Sequence, residues 1–196
     1  INVEGFVYWY SDLNTHITKV SEAKSEDALT YSEYVAANVD DAVVIEAYVQ
    51  AHQAWWDNKV TVYLADHDGA YFAYEMACTE EDFEKLVPGT KILVKGFKTE
   101  WSGEVEIIDA TFEFVDGADT FVAEALDATA LLGTDDLIKH QNEKVAFKGM
   151  TVVAWEYKNG EQGQDIYVTL SKDGAQYSFC VESYLTGPDT DVYKAV

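Results

Sequence analysis

Residues 59–97 read KVTVYLADHDGAYFAYEMACTEEDFEKLVPGTKILVKGF, and the order of elements in that stretch decides the fold. Lys59-Val60-Thr61-Val62-Tyr63-Leu64 alternates apolar and polar residues with period two, the signature of a strand with one buried face. Asp66-His67-Asp68-Gly69 makes a turn, and Tyr71-Phe72-Ala73-Tyr74-Glu75-Met76 returns as a second strand. Thr79 then stands where a helix N-cap belongs, with Glu80, Glu81 and Asp82 in the first turn, where acids meet the positive end of the helix. Phe83, Leu86 and Val87 give this short helix an inner face, and Pro88-Gly89 ends it. Ile92-Leu93-Val94-Lys95-Gly96-Phe97 is the next strand.

Working outward, Val43-Val44-Ile45-Glu46-Ala47-Tyr48-Val49 is a strand upstream, separated by the polar and aromatic run His52 to Asn58. Downstream, Glu104 to Phe114 is a strand after the turn at Ser102-Gly103. Three strands, a helix and two strands is the order of the OB-fold, a five-stranded Greek-key barrel. The spacing therefore predicts a complete OB-fold module over residues 43–116.

The same pattern begins again at the C-terminal end. Lys144-Val145-Ala146-Phe147-Lys148-Gly149-Met150 resembles the first strand of the module, Ile166-Tyr167-Val168-Thr169-Leu170 the second, and Gln176-Tyr177-Ser178-Phe179-Cys180-Val181 the third. Asp191 to Val196 falls where the helix region of the first module ends. Counterparts of strands four and five are found at the other end. Ile1-Asn2-Val3-Glu4-Gly5-Phe6 matches Ile92-Leu93-Val94-Lys95-Gly96-Phe97, Tyr8 to Ser11 matches the turn around Trp101, and His16 to Val20 parallels Glu106 to Ala110. Thr30-Tyr31-Ser32-Glu33 is a capping box opening a short helix to Asn38, and Ala125 to His140 reads as a helical connector interrupted at Gly133. The expected organisation is a hairpin at 1–20, a linker with a short helix at 21–42, a complete barrel at 43–116, a connector at 117–143 and an incomplete barrel at 144–196. The fold class is mostly β: two OB-fold-like five-stranded barrels with short helices, the second completed by the N-terminal hairpin in trans or by circular permutation.

The tandem pattern, carried by Glu4-Gly5-Phe6-Val7-Tyr8-Trp9-Tyr10, Tyr31-Ser32-Glu33-Tyr34-Val35-Ala36-Ala37, Ile45-Glu46-Ala47-Tyr48-Val49-Gln50 and Gly187-Pro188-Asp189-Thr190-Asp191-Val192-Tyr193, resembles tandem OB-fold surface proteins and lipoproteins of Gram-positive bacteria. The resemblance implies OB modules and an exported, cell-surface location, and no established chemistry. In such proteins a segment like 1–20 is expected after a segment like 144–196; this chain departs from that order. It also opens on Ile1 rather than Met, which reads as a processed, exported protein.

A lone hairpin is at best marginally stable in water, and a three-stranded remnant leaves open edges. The hairpin residues Ile1, Val3, Phe6, Tyr8, Trp9, Tyr10 and Ile17 are therefore expected in an acceptor lined by Phe147, Val168, Leu170, Phe179 and Val192. That acceptor belongs to a neighbouring copy or to the same chain, unless the chain is one period of a longer polypeptide. The first case makes a non-enzymatic, head-to-tail extracellular structural subunit, ring or filament. The alternative is a monomeric surface module that binds oligosaccharide or peptide through Trp55, Trp56, Trp101, Trp155 and Tyr157, which the pattern places in the loops between strands one and two and between four and five. Rings that merely cap their own barrels would have the same distribution.

Composition narrows the partners. There are 36 acids against 13 bases, a net charge of −23, and every base is lysine. Without arginine forks or a basic surface, nucleic acid is expected to be excluded as a partner, and no apolar stretch approaches the length of a membrane span. Asp66 with Asp68, Asp116 with Asp119, and Asp189 with Asp191 are the candidates for Ca²⁺, although Asp is also an ordinary turn former; no other cofactor is expected. His16, His52, His67 and His140 are scattered, no nucleophile, phosphate-loop or metalloprotease motif occurs, and no enzyme activity is expected. Cys78 and Cys180 both read as buried free thiols.

Overall fold

The computed structural model describes residues 2–10, 12–21 and 27–195, giving backbone alone up to residue 21 and side chains from residue 27. β1 (Asn2–Tyr10) and β2 (Asp12–Ser21) form an antiparallel hairpin. α1 (Tyr31–Ala36) follows, then β3 (Ala42–His52), β4 (Lys59–Ala65), β5 (Ala70–Ala77), α2 (Glu80–Phe83), β6 (Lys91–Trp101) and β7 (Glu104–Phe114). These five strands close into a barrel in the order β3-β4-β5-β7-β6, with β6 returning to β3. Every pairing is antiparallel except β5 with β7, joined at Ala73 and Ile107. The expected OB-fold-like barrel is present, with its helix between the third and fourth strands.

The barrel is sealed along two seams. Seven antiparallel pairs join residues 42–48 of β3 to β6, and β7 lies against β5 on the other side. Between the seams lies a continuous core that includes Ile45, Val49, Val62, Leu64, Tyr71, Met76, Ile92, Val94 and Ile107, all withdrawn from solvent. Burial of each such side chain contributes about 1.5–3 kcal/mol. Gly96 permits the β6–β7 seam: the ladder bulges around it, and a Cβ there would lie 2.7 Å from both Ile107 Cγ2 and the Ile108 carbonyl oxygen. Such bulges bend a strand enough to turn a barrel corner.

α1 lids the barrel. Thr30 and Glu33 form the capping box read from the sequence, and Tyr31 and Tyr34 meet the Tyr71 ring edge-on at 5.5 and 5.0 Å. The Tyr31 ring lies over Gly69, where a Cβ would come within 2.4 Å of it. Lys98, on β6, donates to the carbonyls of Tyr34, Val35 and Ala37 at 2.9, 2.9 and 2.7 Å, satisfying the helix end that has no partners of its own. Its burial holds the ammonium below the usual lysine range.

The C-terminal part is different. β8 (Leu126–Asp127) and β9 (Val145–Ala146) form a two-residue parallel ladder, and β10 (Thr151–Tyr157), β11 (Ile166–Lys172) and β12 (Ala175–Val181) form an open antiparallel sheet, followed by α3 (Asp191–Ala195). Its core is small: Ile166, Val168 and Tyr193 are buried, with Tyr157, Leu170 and Val181 beside them. Asp165 clamps this sheet. Its carboxylate accepts from the Ser183 amide at 3.0 Å, the Ser183 hydroxyl at 2.8 Å and Lys158 Nζ at 2.9 Å.

Four sequence expectations change. Residues 125–140 hold β8 and two 3₁₀ turns, at Thr129–Leu131 and Asp135–His140, rather than a helical connector. α2 spans a single turn, and of its expected inner residues Leu86 is buried whereas Val87 is 55% exposed. The strand read over 144–150 is strand only at Val145–Ala146 and resumes at Thr151. In the hairpin, Phe6 pairs with His16 as Phe97 pairs with Ile108, so the second strand is shifted from the register that the sequence match of His16 to Val20 with Glu106 to Ala110 implies.

The Asp165 clamp has a pH signature. The Lys158 ammonium and the Ser183 donors hold the carboxyl at about 2, below its ordinary 3.8. Its contribution to the sheet is complete above that ordinary value and is lost as the pH falls toward 2. The Ser183 amide resonance, followed by NMR during acid titration, is expected to move with a midpoint near 2; a midpoint near 3.8 would refute the clamp.

Candidate functional site

The two sheets are most informative where they correspond. In β3, Val49 pairs with Leu64 and the ladder then bulges before Ala51; in β10, Val152 pairs with Leu170 and the ladder bulges before Ala154. The two valines hold the same place in the same local geometry. Val49 is fully buried, whereas Val152 is 58% exposed and its neighbour Val153 49% exposed. The difference follows from pairing. β3 has β4 on one side and β6 on the other, whereas β10 has β11 alone among the described strands. At the opposite border β12 pairs with β11 alone, while its counterpart β5 also holds β7. The candidate site is this pair of unpartnered edges with the apolar surface between them.

Most of the expected acceptor residues converge there. Val168 is buried, Leu170 packs beside it, and the Phe147 ring lies 5.5 Å from that of Phe179. Val192 does not belong: it is 60% exposed, because one turn of α3 turns Tyr193 inward instead. Tyr193 accepts from the Gly163 amide at 3.1 Å, donates to the Gln164 carbonyl and stacks on Tyr157 at 6.4 Å. Val152, Val153 and Tyr193 were missed from the sequence. The bulge that aligns Val152 with Val49 is a backbone feature that appears only once strands are paired.

Of the expected hairpin residues, Ile1 lies outside the described residues; Val3, Phe6, Tyr8, Trp9 and Tyr10 stand on β1 and Ile17 on β2. The β1–β2 ladder shifts between Glu4 and Gly5, and the β6–β7 ladder shifts around Gly96. From there β1 runs on through Phe6, Tyr8, Trp9 and Tyr10, and β6 through Phe97 and Trp101. Among the described strands, neither β1 nor β2 is hydrogen-bonded into another sheet.

The tryptophans do not share one environment. Trp55 packs on the barrel core and donates to the Cys78 carbonyl at 2.9 Å. Trp101 is 73% exposed at the β6 end. Trp155 and Tyr157 are strand residues of β10 rather than loop residues, their rings 5.2 Å apart. Trp56 (66% exposed) and Tyr184 (67% exposed) border a groove of about 320 Å³ with Tyr74, Gln53 and the Lys59–Glu75 ion pair at 2.7 Å.

One member of each of two acidic pairs is engaged. Asp66 accepts from the amides of Asp68 and Gly69 and from the Tyr71 hydroxyl, and Asp119 accepts from the Tyr48 hydroxyl at 2.6 Å. Among the described residues no three His, Cys, Asp or Glu side chains converge as metal ligands, and no helix is long and apolar enough to cross a membrane.

No family model matches the chain, and no curated protein matches it. Among solved structures it is similar to a HIN1 domain in complex with 12-mer double-stranded DNA (TM-score 0.38, 13% identity, 74% of this chain and 73% of that one). It is also similar to a HINa domain in complex with 20-bp double-stranded DNA (TM-score 0.37, 16% identity, 71% and 77%). A third similar chain comes from a structure described as the molecular basis for abrogation of activation of pro-inflammatory cytokines (TM-score 0.38, 13% identity, 72% and 74%). The expectation that nucleic acid is excluded as a partner is corrected here: two of these neighbours are described in complex with double-stranded DNA. Likeness this distant assigns no ligand.

Both thiols are free, but only Cys78 is buried as expected; Cys180 is exposed on β12, which pairs with β11 alone among the described strands. Burial and nearby Asp82 push the Cys78 thiol up to about 11, and it donates to the Thr79 carbonyl at 3.3 Å. Treatment of the native protein with a maleimide at neutral pH is expected to give a single adduct, on the peptide containing Cys180. Labelling of Cys78 at a comparable rate, read by peptide mass, would mean that the barrel opens.

Proposed function

We propose that the chain is a non-enzymatic structural subunit that assembles head-to-tail by lending its β1–β2 hairpin to the open β10–β11–β12 sheet of another copy, so that a second five-stranded barrel is completed between chains. The single observation that carries this reading is the contrast between Val49 and Val152: equivalent positions, one buried where Gly89 and Thr90 lead into β6 and one in solvent.

Three further observations support it. The β1–β2 hairpin shares with β6–β7 a Gly-Phe step and a register shift beside the glycine, so the unpartnered hairpin has the form that the unpartnered edges need. Burying the β10 valines and matching apolar residues of a donor contributes about 1.5–3 kcal/mol per fully buried side chain, which offsets the ordering of two strands that are marginal alone. An edge left open on both borders invites pairing with another chain, and a donor patch distinct from its acceptor gives a heterologous contact that propagates as a ring or filament.

The family resemblance supports a location for such a subunit outside the cell, on the surface of a bacterium. There a net charge of −23 repels non-specific contacts and keeps assemblies dispersed.

A second reading is favoured by the groove at Trp56, Tyr74 and Tyr184, whose exposed ring faces beside the Lys59–Glu75 pair suit a saccharide or peptide. The two readings separate on oligomeric state and on a variant. Light scattering with negative-stain imaging is expected to find multiples of the subunit mass for the full chain and monomers after deletion of residues 1–20, with the 43–116 barrel still folded by circular dichroism. A monomeric full chain, or assemblies that persist without the hairpin, would remove the assembly reading. Loss of saccharide binding in Trp56→Ala, with unchanged mass, would favour the other.

A further inference from the structure

Resting on the strand-donation reading, we propose that the docking strand of the acceptor is the broken segment 145–150, and that β1 of a second copy pairs with it antiparallel, with Gly5 opposite Val145, Glu4 opposite Ala146 and Val3 opposite Phe147.

The register comes from three landmarks shared by the two parts of the chain. The first is the lead-in. Leu29 bridges in parallel to Ile45, with its amide donating to the Val44 carbonyl at 2.8 Å, and Thr30 then caps α1. In the second part the Ala128 amide donates to the Ala146 carbonyl at 3.0 Å, and Thr129 then opens a 3₁₀ turn. Asp27-Ala28-Leu29-Thr30 and Leu126-Asp127-Ala128-Thr129 are therefore the same approach to a first strand, which sets Phe147 in the place of Ile45 and Val145 in that of Val43. The second landmark is the bulge, which sets Val152 in the place of Val49. Between the two landmarks the second part carries one extra residue, and Gly149 takes a left-handed φ of +67° there. The third landmark is the Gly-Phe step beside a register shift, which sets Gly5 in the place of Gly96.

Superposing these landmarks on the closed barrel gives the pairing. β3 meets β6 with Val43 opposite Gly96, Val44 opposite Lys95 and Ile45 opposite Val94. Substituting the counterparts yields Val145–Gly5, Ala146–Glu4 and Phe147–Val3. On the far border, β2 would run parallel to β12 as β7 runs parallel to β5, beside Phe179, the residue that pairs with Val168 as Ala73 pairs with Val62.

The state of 147–150 fits this role. In the barrel the same stretch, Ile45 to Tyr48, is held by four pairs to β6 and is continuous with the rest of β3. In the second part it has no such partner, and the strand breaks between β9 and β10. A ladder along one side only does not keep a strand through a residue with positive φ, whereas a second ladder adds the missing hydrogen bonds. Docking then joins β9 to β10 into one strand. Phe147, already over the Phe179 ring at 5.5 Å, needs no large movement.

The test is site-directed oxidation of the full-length chain carrying Cys180→Ser. Glu4→Cys with Ala146→Cys is expected to give a ladder of cross-linked multimers on a non-reducing gel. Glu4→Cys with Met150→Cys, four residues off register, is expected to give none. In parallel, amides of residues 147–150 are expected to exchange more slowly in the intact, unmutated chain than in the chain lacking 1–20. Cross-linking at the off-register pair alone, or assembly with no protection of 147–150, would overturn the register and leave strand donation standing. Cross-linked monomers would place the hairpin on its own chain and overturn both readings, as would the absence of any assembly.

Discussion

A β-sheet becomes a barrel only when both of its borders find partners, and in this chain that constraint separates the two parts. The first part satisfies it through β6 and β7. β6 pairs with β3 over seven residues, contributes Ile92 and Val94 to the core, and carries Lys98 beneath the end of α1. It also brings Lys91 to Glu46 across the seam at 3.4 Å, both side chains almost wholly withdrawn from water. A buried pair of this kind is weak evidence for stability, since desolvation offsets most of the attraction. Its effect is on register, because a one-residue slip of β6 would bury a charge without its counterpart. The lid, the core and the seam are thus fixed by one strand.

The second part repeats the strands that such a seam requires and not the seam itself. The consequence is visible residue by residue along β10, which is exposed on both faces through Glu156 although its sequence, Thr151-Val152-Val153-Ala154-Trp155, is that of an interior strand. The lid is reduced in the same way. Where Tyr31 and Tyr34 cover the turn of the first barrel, the corresponding residues are Ala130 and Gly133, and a cleft of about 710 Å³ lies between Thr129, Leu132 and the β11–β12 turn. What holds this sheet without a full core is polar: Asp165 with Ser183 and Lys158, and the Tyr193 hydroxyl on the Gly163–Gln164 backbone.

Period-two alternation at Lys59–Leu64 and the cap at Thr79 located the barrel strands and its helix, because both signals are local. Ends were less well placed: β6 runs on to Trp101 and β3 to His52, since edge pairing extends strands beyond their apolar stretch. The connector failed for a different reason. Ala125 to His140 has helical composition, but Gly133 and the pairing of Leu126 with Val145 divide it into short turns. Among the aromatics, Trp155 read as a loop residue because the break at Gly149 moved the strand boundary, and no sequence pattern encodes a bulge. Burial itself was not readable. Val49 and Val152 are the same residue type in the same local setting, and only the presence of a neighbouring strand distinguishes them.

That last point bears on what the glycine at position 5 is for. In the barrel, Gly96 is required because β7 crosses so closely that any Cβ would strike Ile107 and the Ile108 carbonyl. The need arises from closure: a hairpin that closes nothing has no barrel corner to turn and gains nothing from a glycine within its strand, which weakens the strand through its backbone freedom. The β1–β2 hairpin nevertheless has the glycine, the following Phe6 and the shifted ladder in the same order. A feature that is costly in isolation and useful only at a seam argues that this hairpin is shaped for one. The edges of β10 and β12 are the unpartnered pair that match it among the described strands.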